Sequence, residues 1–146
     1  MIAVDTNLLI YAHRADSPWH QAAAQALREL VDEGATWAIP WPCVHEFLAI
    51  VTHPRKFRVP TPLLRATQQI EDWSESPSLR FIGENSGYWD LLKSTLHTNH
   101  ILGAKIHDAR IAAICLGNGV RVLWSADRDF SRIPGLRVVN PVAGKA

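Results

Sequence analysis

The sequence predicts an α/β protein whose mostly parallel sheet is covered by helices on both faces. Short apolar runs that are typical of buried strands alternate along the chain with longer stretches whose apolar residues have helical spacing. Strands that alternate with helices form parallel sheets, and such sheets bury both of their faces. Two of the apolar runs end close to acidic residues, which directs attention to one edge of that sheet.

Capping residues mark the starts of the first helices. Thr6 or Asn7 caps the first helix, and Ser17 followed by Pro18 is a cap with a first-turn proline for the second. Apolar residues at helical spacing then continue to Gly34, which ends that helix. The elements predicted up to residue 52 are a strand at 2–4, helices at 7–13 and 20–32, a strand at 36–39, a turn bracketed by Pro40 and Pro42, and a helix at 43–52.

The second part of the chain continues the alternation. Thr61 and Pro62 repeat the cap-and-proline signal, and Ser86 caps a later helix. The elements predicted here are a basic, proline-bounded loop at 53–60, a helix from 61 to about 73, a strand at 79–82, helices from 86 to about 97 and at 106–116, and strands at 120–124 and 136–139. No repeat or linker interrupts them, so residues 1–146 are predicted to form a single domain.

The composition limits the class of protein. Apolar residues make up 47% of 146, which is enough for a substantial core, and the net charge of +1 provides no overall field for a nucleic acid. Cys43 and Cys115 lack metal-site spacing and lie in apolar helical patterns, so we expect reduced core thiols. The chain starts without a basic leader and has no stretch that spans a bilayer, so a soluble cytoplasmic protein is expected.

Four acids lie at strand ends or in helices without an obvious partner in the local sequence: Asp5, Glu46, Asp108 and Asp127. If the fold brings them together, they repel one another, at roughly 4 kcal/mol for a pair about 4 Å apart at an effective dielectric of 20. A cation would offset that repulsion, and oxygen ligands alone favour Mg²⁺ or Mn²⁺. This pattern points to metal-assisted hydrolysis of a phosphodiester.

Each acid also has an ordinary explanation. Asp5 fits a helix cap, and Asp108 fits the first turn of a helix, where the helix dipole favours it by about 0.3–1 kcal/mol. A solvated glutamate accounts for Glu46. Asp127 and Asp129 fit turn positions, with the neighbouring arginines as ion-pair partners. The functional interpretation therefore depends on the four acids acting jointly.

Four short motifs in order resemble a known family over nearly the whole chain. The chain resembles PIN domains, and within them the VapC-type toxins of bacterial toxin–antitoxin pairs. The motifs are Val4-Asp5-Thr6-Asn7-Leu8-Leu9, Glu46 in a helix, Asp108-Ala109-Arg110-Ile111-Ala112-Ala113, and Ser125-Ala126-Asp127-Arg128-Asp129-Phe130, and the closing residues 134–141 also match. The resemblance implies a three-layer α/β/α sandwich, a Mg²⁺- or Mn²⁺-dependent endoribonuclease that cuts a structured RNA such as tRNA or rRNA, a VapB-like antitoxin, and a homodimer.

The resemblance also implies roles for individual residues. Asp5, Glu46, Asp108 and Asp127 correspond to the metal-binding acids of the family. Asp129 lies in the same terminal motif as Asp127, and Asp127 is favoured because it is nearer the strand end. Thr6, Asn7 and Ser125 lie next to these acids, where they either orient a carboxylate or water or serve as caps and turn residues.

Basic residues near the acids are candidates for binding a substrate. Arg55, Lys56 and Arg58 surround Phe57, a combination of charge and stacking face that suits a nucleic acid, although a short basic loop is also commonly just solvated. Further arginines are predicted to line the rim of the acidic pocket. They are Arg14, Arg110, Arg128 and Arg132.

Three other classes compete with this interpretation. A haloacid-dehalogenase-type phosphatase needs a second aspartate two residues after Asp5, and Asn7 stands there, so this class is set aside. A non-catalytic PIN-like module that binds RNA or protein is disfavoured because all four acids are present. A structure-specific DNA nuclease of the wider PIN-like group carries more acids and insertions than this chain has.

Overall fold

Five parallel strands form one sheet at the centre of the molecule. The structure, a computed structural model, describes residues 1–146 apart from the side chain of Arg132. The strand order is β3-β2-β1-β4-β5, and every neighbouring pair is parallel. The strands are β1 Ile2–Val4, β2 Trp37–Pro40, β3 Leu79–Ile82, β4 Val122–Trp124 and β5 Arg137–Val139. All five strands predicted from the sequence are present, with ends shifted by two residues or fewer.

Helices cover the sheet in two groups. They are α1 Thr6–His13, α2 His20–Asp32, α3 Trp41–Val51, α4 Leu63–Ser74, α5 Tyr88–Thr98 and α6 Ile106–Gly117, with 3-10 turns at Gly103–Lys105 and Arg128–Arg132. Helices α1 to α4 pack on one another, and α5 packs on α6. The chain runs outward from β1 to β3 and then crosses back to β4, so right-handed connections place the two groups on opposite faces. The predicted three-layer α/β/α architecture is confirmed.

The strand order creates a crevice between β1 and β4. The chain leaves β1 towards β2 on one side and adds β4 on the other side much later. In parallel sheets such a reversal of direction leaves room beyond the carboxyl ends of the two central strands, where ligands bind. Backbone hydrogen bonds continue this edge past the strands: the Asp5 N–H donates to the Trp124 carbonyl at 2.9 Å, and the Ser125 N–H donates to the Val139 carbonyl at 3.0 Å.

Two helix starts differ from the prediction. Helix α1 begins at Thr6, and the carboxylate of Asp5 is its cap, accepting the Thr6 N–H at 2.8 Å; neither Thr6 nor Asn7 is the cap. Helix α3 begins at Trp41, so Pro42 lies in its first turn and no turn separates the strand from the helix. A proline is accepted there because first-turn N–H groups have no partner within the helix.

Three other predicted caps do not cap their helices. Helix α4 starts at Leu63 after Pro62, so Thr61 lies outside it, and the other two lie in turns. Ser17 lies in a turn before α2, where its hydroxyl accepts the Trp19 N–H at 3.2 Å, and the helix itself starts at His20. Helix α5 starts after Gly87, which adopts a φ of 87°, and not after a capping Ser86. Glycine suits this position because side chains disfavour positive φ.

The core lies on both faces of the sheet. Its largest fully buried side chains include Trp37, Phe47 and Phe130. Cys43 and Cys115 are both buried and free, as predicted. Across the described chain, every helix is too short or too polar to cross a membrane.

Candidate active site

All four predicted acids line one cavity beyond the carboxyl ends of β1 and β4. Asp5 directly follows β1, and Asp127 lies just after β4. Glu46 extends from α3 and Asp108 from the first turn of α6, so the two helical layers each contribute one acid. The cavity has a volume of about 180 Å³, and its other lining residues are Thr6, Asn7, Ile10, Ile50 and Ile111.

Asp5 is the buried centre of this cavity. Only 5% of its surface is exposed. One carboxylate oxygen accepts the Thr6 N–H at 2.8 Å and lies 3.6 Å from the thiol of Cys43. The other accepts the Ser125 hydroxyl at 2.7 Å and the Asn7 amide at 3.3 Å. These donors hold the carboxylate in a fixed orientation.

Burial raises the pKa of Asp5 from 3.8 to about 6. Hydrogen bonds from Ser125 and Thr6 oppose this rise, and the negative charge of Glu46 adds to it. Because the pKa is higher in the folded chain than its ordinary value, folding becomes less favourable as the pH rises from about 4 to about 6 and Asp5 loses its proton. A cation in the cavity would remove this cost.

Asn7 and Ser125 connect the ends of the two central strands. The Ser125 hydroxyl donates to Asp5 and accepts the Asp127 N–H at 2.9 Å and the Asn7 amide at 3.3 Å. The Asn7 side-chain oxygen accepts the Ala126 N–H at 3.1 Å. We call Asn7 and Ser125 the strand-end clasp. The clasp fixes the position of Asp5 relative to Asp127.

Thr6 orients the acid from α3. Its hydroxyl donates to a carboxylate oxygen of Glu46 at 2.7 Å. All three residues that the sequence places beside the acids, Thr6, Asn7 and Ser125, therefore contact one of them. Capping in the structure is performed by Asp5, which leaves these side chains available for the acids.

Three of the acids are close enough to share one ion. One carboxylate oxygen from each of Asp108, Asp127 and Asp129 lies within 4.8 Å of the others. Burial raises the pKa of Asp108, and the charges of Asp127, Asp129 and Glu46 raise it further. A cluster of oxygen donors that destabilise one another's charges fits a hard divalent cation.

Asp127 and Asp129 occupy different positions in this cluster. Asp127 lines the cavity together with Asp5, and its carboxylate accepts the Asp129 N–H at 2.8 Å. Asp129 forms an ion pair with Lys105 at 2.6 Å and lines a neighbouring cavity of about 70 Å³. Asp127, and not Asp129, therefore lines the cavity that also holds Asp5, Glu46 and Asp108.

The predicted basic rim is only partly present. Arg14 lies away from the acids: its guanidinium binds Asp16 at 2.6 and 2.9 Å and stacks 4.1 Å above the ring of Phe57. With Arg58, Arg14 lines a separate cavity of about 550 Å³. Arg14 therefore lines this separate cavity and not the cavity of the acids, and its guanidinium also donates to the Val59 carbonyl at 2.8 Å.

Two of the other predicted rim arginines are close to an acid in the sequence: Arg110 is two residues after Asp108, and Arg128 directly follows Asp127. Arg110 pairs with Glu84 at 2.6 Å, and Arg128 is exposed. The side chain of Arg132 lies outside the described part of the structure.

Lys105 and Cys43 contact the acids and were not predicted to do so. Lys105 lies one helical turn before Asp108, and Cys43 lies three residues before Glu46. This one-turn spacing indicates that both residues lie near the site, but their contacts are with Asp129 and Asp5, which are distant in the sequence.

The fold and the acidic cavity together define a PIN-domain protein. The family model described as PIN domain matches residues 2–136, so the chain belongs to this family.

Individual relatives show which group within the family this chain is similar to. Ribonuclease VapC48 of Mycobacterium tuberculosis strain H37Rv is 30% identical over 141 residues, which covers 96% of this chain and 97% of that protein. These proportions place the chain among the VapC ribonucleases. VapBC2 from Rickettsia felis, solved with a fragment of its promoter DNA, has a TM-score of 0.68 at 21% identity and covers 96% of this chain and 98% of its own. VapC20 of Mycobacterium tuberculosis, a toxin that cleaves the sarcin–ricin loop, has a TM-score of 0.65 at 15% identity over 90% of this chain and 93% of its own.

Proposed function

We propose that this chain is a Mg²⁺- or Mn²⁺-dependent endoribonuclease that acts as the toxin of a toxin–antitoxin pair. The observation that carries the proposal is that Asp5, Glu46, Asp108 and Asp127 all line one cavity at the crevice between β1 and β4. The VapC ribonucleases among its relatives support ribonuclease activity. The oxygen-only donor set supports a hard divalent ion over zinc.

Each acid has a proposed role in holding the ion. Asp5 and Asp108 are the direct ligands, while Glu46 and Asp127 bind through water or complete a second site. Asp129 is the alternative ligand from the last motif, and its pairing with Lys105 makes it the weaker candidate. A divalent ion, when bound, supplies the charge that activates a water for attack on phosphorus and stabilises the leaving oxygen.

The protein's own groups prepare the site for this chemistry. The strand-end clasp keeps Asp5 and Asp127 at a fixed separation, and Thr6 fixes the direction of Glu46. Buried Ile111 contributes an apolar surface to the lining of the cavity. The acids therefore meet a phosphate with little rearrangement, which lowers the entropic part of the barrier.

A structured RNA is the proposed substrate. VapC20 cleaves the sarcin–ricin loop, which supports an RNA of this kind. The test is to incubate the purified protein with total bacterial RNA and Mg²⁺ or Mn²⁺, with EDTA as the control, and to map the products. Discrete fragments that disappear with EDTA are expected. Metal binding without RNA cleavage would favour a non-catalytic module, and cleavage of flap DNA but not RNA would favour a DNA nuclease.

An antitoxin is the proposed partner. The VapBC2 structure supports a VapB-like protein that holds the toxin inactive. A homodimer is proposed on the family resemblance alone. Sedimentation of the chain with and without its co-expressed antitoxin measures both assemblies.

Replacing Ser125 with Ala is expected to lower both stability and activity. Ser125 is 1% exposed. Its hydroxyl donates to Asp5 and accepts the Asn7 amide and the Asp127 N–H. Loss of a buried partner costs about 1–3 kcal/mol, and loss of a group that supports metal ligands costs about 10–100-fold in metal affinity or activity. Thermal melting and Mn²⁺ titration measure the two effects. Ser131→Ala, an exposed serine that bonds only within its own turn, is the control, and equal behaviour of the two variants contradicts the role of the clasp.

Neutralising the basic loop is expected to weaken RNA binding without changing the acids. Lys56 and Arg58 are both exposed, and Arg58 borders the large cavity that Arg14 also lines. Each lost phosphate contact lowers the slope of log Kd against log salt by about 0.7 for a single strand. We expect Lys56→Gln/Arg58→Gln to lower that slope by about 1.4 in a fluorescence anisotropy titration.

A matched pair of arginines gives the control for this titration. Arg121 and Arg137 are exposed at the amino ends of β4 and β5, on the opposite edge of the sheet from the acids. Arg121→Gln/Arg137→Gln removes the same charge. An equal loss of slope in both double variants would mean that net charge alone governs binding.

A further inference from the structure

A stacked pair of rings stands beside the acidic cavity, and the proposed function makes no use of it. Trp41 is the first residue of α3, and its ring stacks on that of Phe81, with centroids 4.7 Å apart and planes 20° apart. The ring of His45, one helical turn along, lies 6.5 Å from that of Trp41. Trp41 nevertheless remains 43% exposed. We call Trp41, His45 and Phe81 the aromatic platform.

The platform lies on the same edge of the sheet as the acids. Asp5 follows β1 and Trp41 follows β2, and these neighbouring strands are aligned with Ala3 opposite Ala38. Continuing this register, Asp5 corresponds to Pro40, the residue before Trp41. The thiol of Cys43, two residues after Trp41, lies 3.6 Å from the Asp5 carboxylate, so the first turn of α3 adjoins the acids. Trp41 lies on a different face of that turn, where its ring contacts Phe81 on β3.

The order of groups along this edge follows the strand order. Asp127 follows β4, Asp5 follows β1, Trp41 follows β2 and Phe81 lies within β3. A strand of RNA whose phosphate lies at the acids therefore has the platform to one side, within reach of the next nucleotide. Glu84, two residues after β3, pairs with Arg110 at 2.6 Å, so the charges of these two side chains offset each other.

We propose that Trp41 is a stacking platform for the nucleobase that adjoins the scissile phosphate. The inference rests on the proposed ribonuclease function. It assigns to Trp41 the role of positioning the RNA strand relative to the acids. Stacking accepts any base because every base has a flat π face, so Trp41 positions the strand and does not read its sequence. Phe81 stacks on the Trp41 ring and so restricts its movement.

Binding of RNA without cleavage tests the platform directly. The probe is a fluorescein-labelled single-stranded RNA of mixed sequence, titrated in EDTA. Loss of one stacked base corresponds to about a tenfold weaker Kd, and we expect this for Trp41→Ala. Trp41→Phe retains a stacking ring and is expected to stay within about threefold of the wild type. Trp89→Ala, which removes a tryptophan that is 62% exposed on α5, is the control and is expected to leave Kd unchanged.

A second measurement changes the RNA, and its first part uses the wild-type protein, so that part does not depend on how a variant folds. Single abasic nucleotides are placed in turn around the cut in an RNA that the protein cleaves. We expect kcat/KM to fall about tenfold at one position next to the cut, and we expect Trp41→Ala to show no further fall at that position.

The outcomes separate this inference from the proposed function. If the wild type cleaves RNA but Trp41→Ala binds and cleaves like Trp89→Ala, the platform is wrong and the ribonuclease stands. If no RNA is cleaved under any metal condition, the proposed function itself fails. Dissociation of a homodimer by Trp41→Ala with unchanged RNA affinity would make the ring a contact between copies of the chain and would overturn its role in binding a base.

Discussion

Replacing Asp108 with Asn is expected to abolish RNA cleavage and to leave the fold intact. The amide keeps the size of the side chain but removes the charge that the proposed ion requires. We expect kcat/KM to fall by at least about a thousandfold, which corresponds to about 4 kcal/mol of lost transition-state stabilisation. Cleavage of the mapped RNA under single-turnover conditions measures the loss, and full activity in this variant would remove Asp108 from the site.

The stability of this variant follows from two opposing effects. The substitution relieves repulsion from Asp127, Asp129 and Glu46, and it also gives up a favourable interaction with the amino end of α6. Both effects amount to less than about 1 kcal/mol, so the melting temperature of the metal-free protein is expected to stay within about 3 °C of the wild type.

Asp90→Asn is the matched control for Asp108→Asn. Asp90 also lies in the first turn of a helix, α5, and its side chain is 86% exposed and outside the cavity. The control is expected to retain full cleavage. A loss of activity in both variants would point to a general effect of helix charge.

Divalent ions are expected to stabilise the wild type strongly. An ion present at about one hundred times its Kd adds about 2.7 kcal/mol to the free energy of unfolding, or roughly 8 °C in melting temperature for a chain of this size. Mn²⁺ and Mg²⁺ are expected to have this effect because they offset the repulsion among the acids, and EDTA is expected to abolish both the stabilisation and the cleavage.

Sodium chloride at matched ionic strength is the control for the ion's general screening. It is expected to raise the melting temperature by far less, because screening acts weakly on partly buried charges. Asp108→Asn is expected to lose most of the Mn²⁺ shift. The ion assignment would be wrong if that variant kept the full shift, or if the wild type cleaved RNA in EDTA.

The alternation of strands and helices along the chain could be predicted because short-range patterns determine it. Apolar runs such as Ile2–Val4 are bounded by polar or turn residues, and these limits are visible in the sequence. Helix starts were less predictable. At Asp5 and Pro40 the strand passes into the helix without a loop, so a residue that looks like a turn or a catalytic acid is also the cap.

The acids could be named from the sequence, but their neighbours could not. Spacing and the family resemblance single out Asp5 and Asp108, and the structure adds the cavity that contains them. Arg14 is held by contacts with Asp16 and with the Val59 carbonyl 45 residues away, and the second of these is not visible in the linear sequence. The contact between Trp41 and Phe81 joins residues brought together only by the pairing of β2 with β3.

The strand-end clasp also has a consequence for when the site is completed during synthesis of the chain. Asn7 and Ser125 are 118 residues apart, and Ser125 and Asp127 join the site only when β4 pairs with β1. A ribosome must therefore synthesise most of the chain before the nuclease centre closes, and a product that stops before β4 holds only part of the acids. In the proposed toxin–antitoxin pair, this late completion leaves time for the antitoxin to be present before the site is complete.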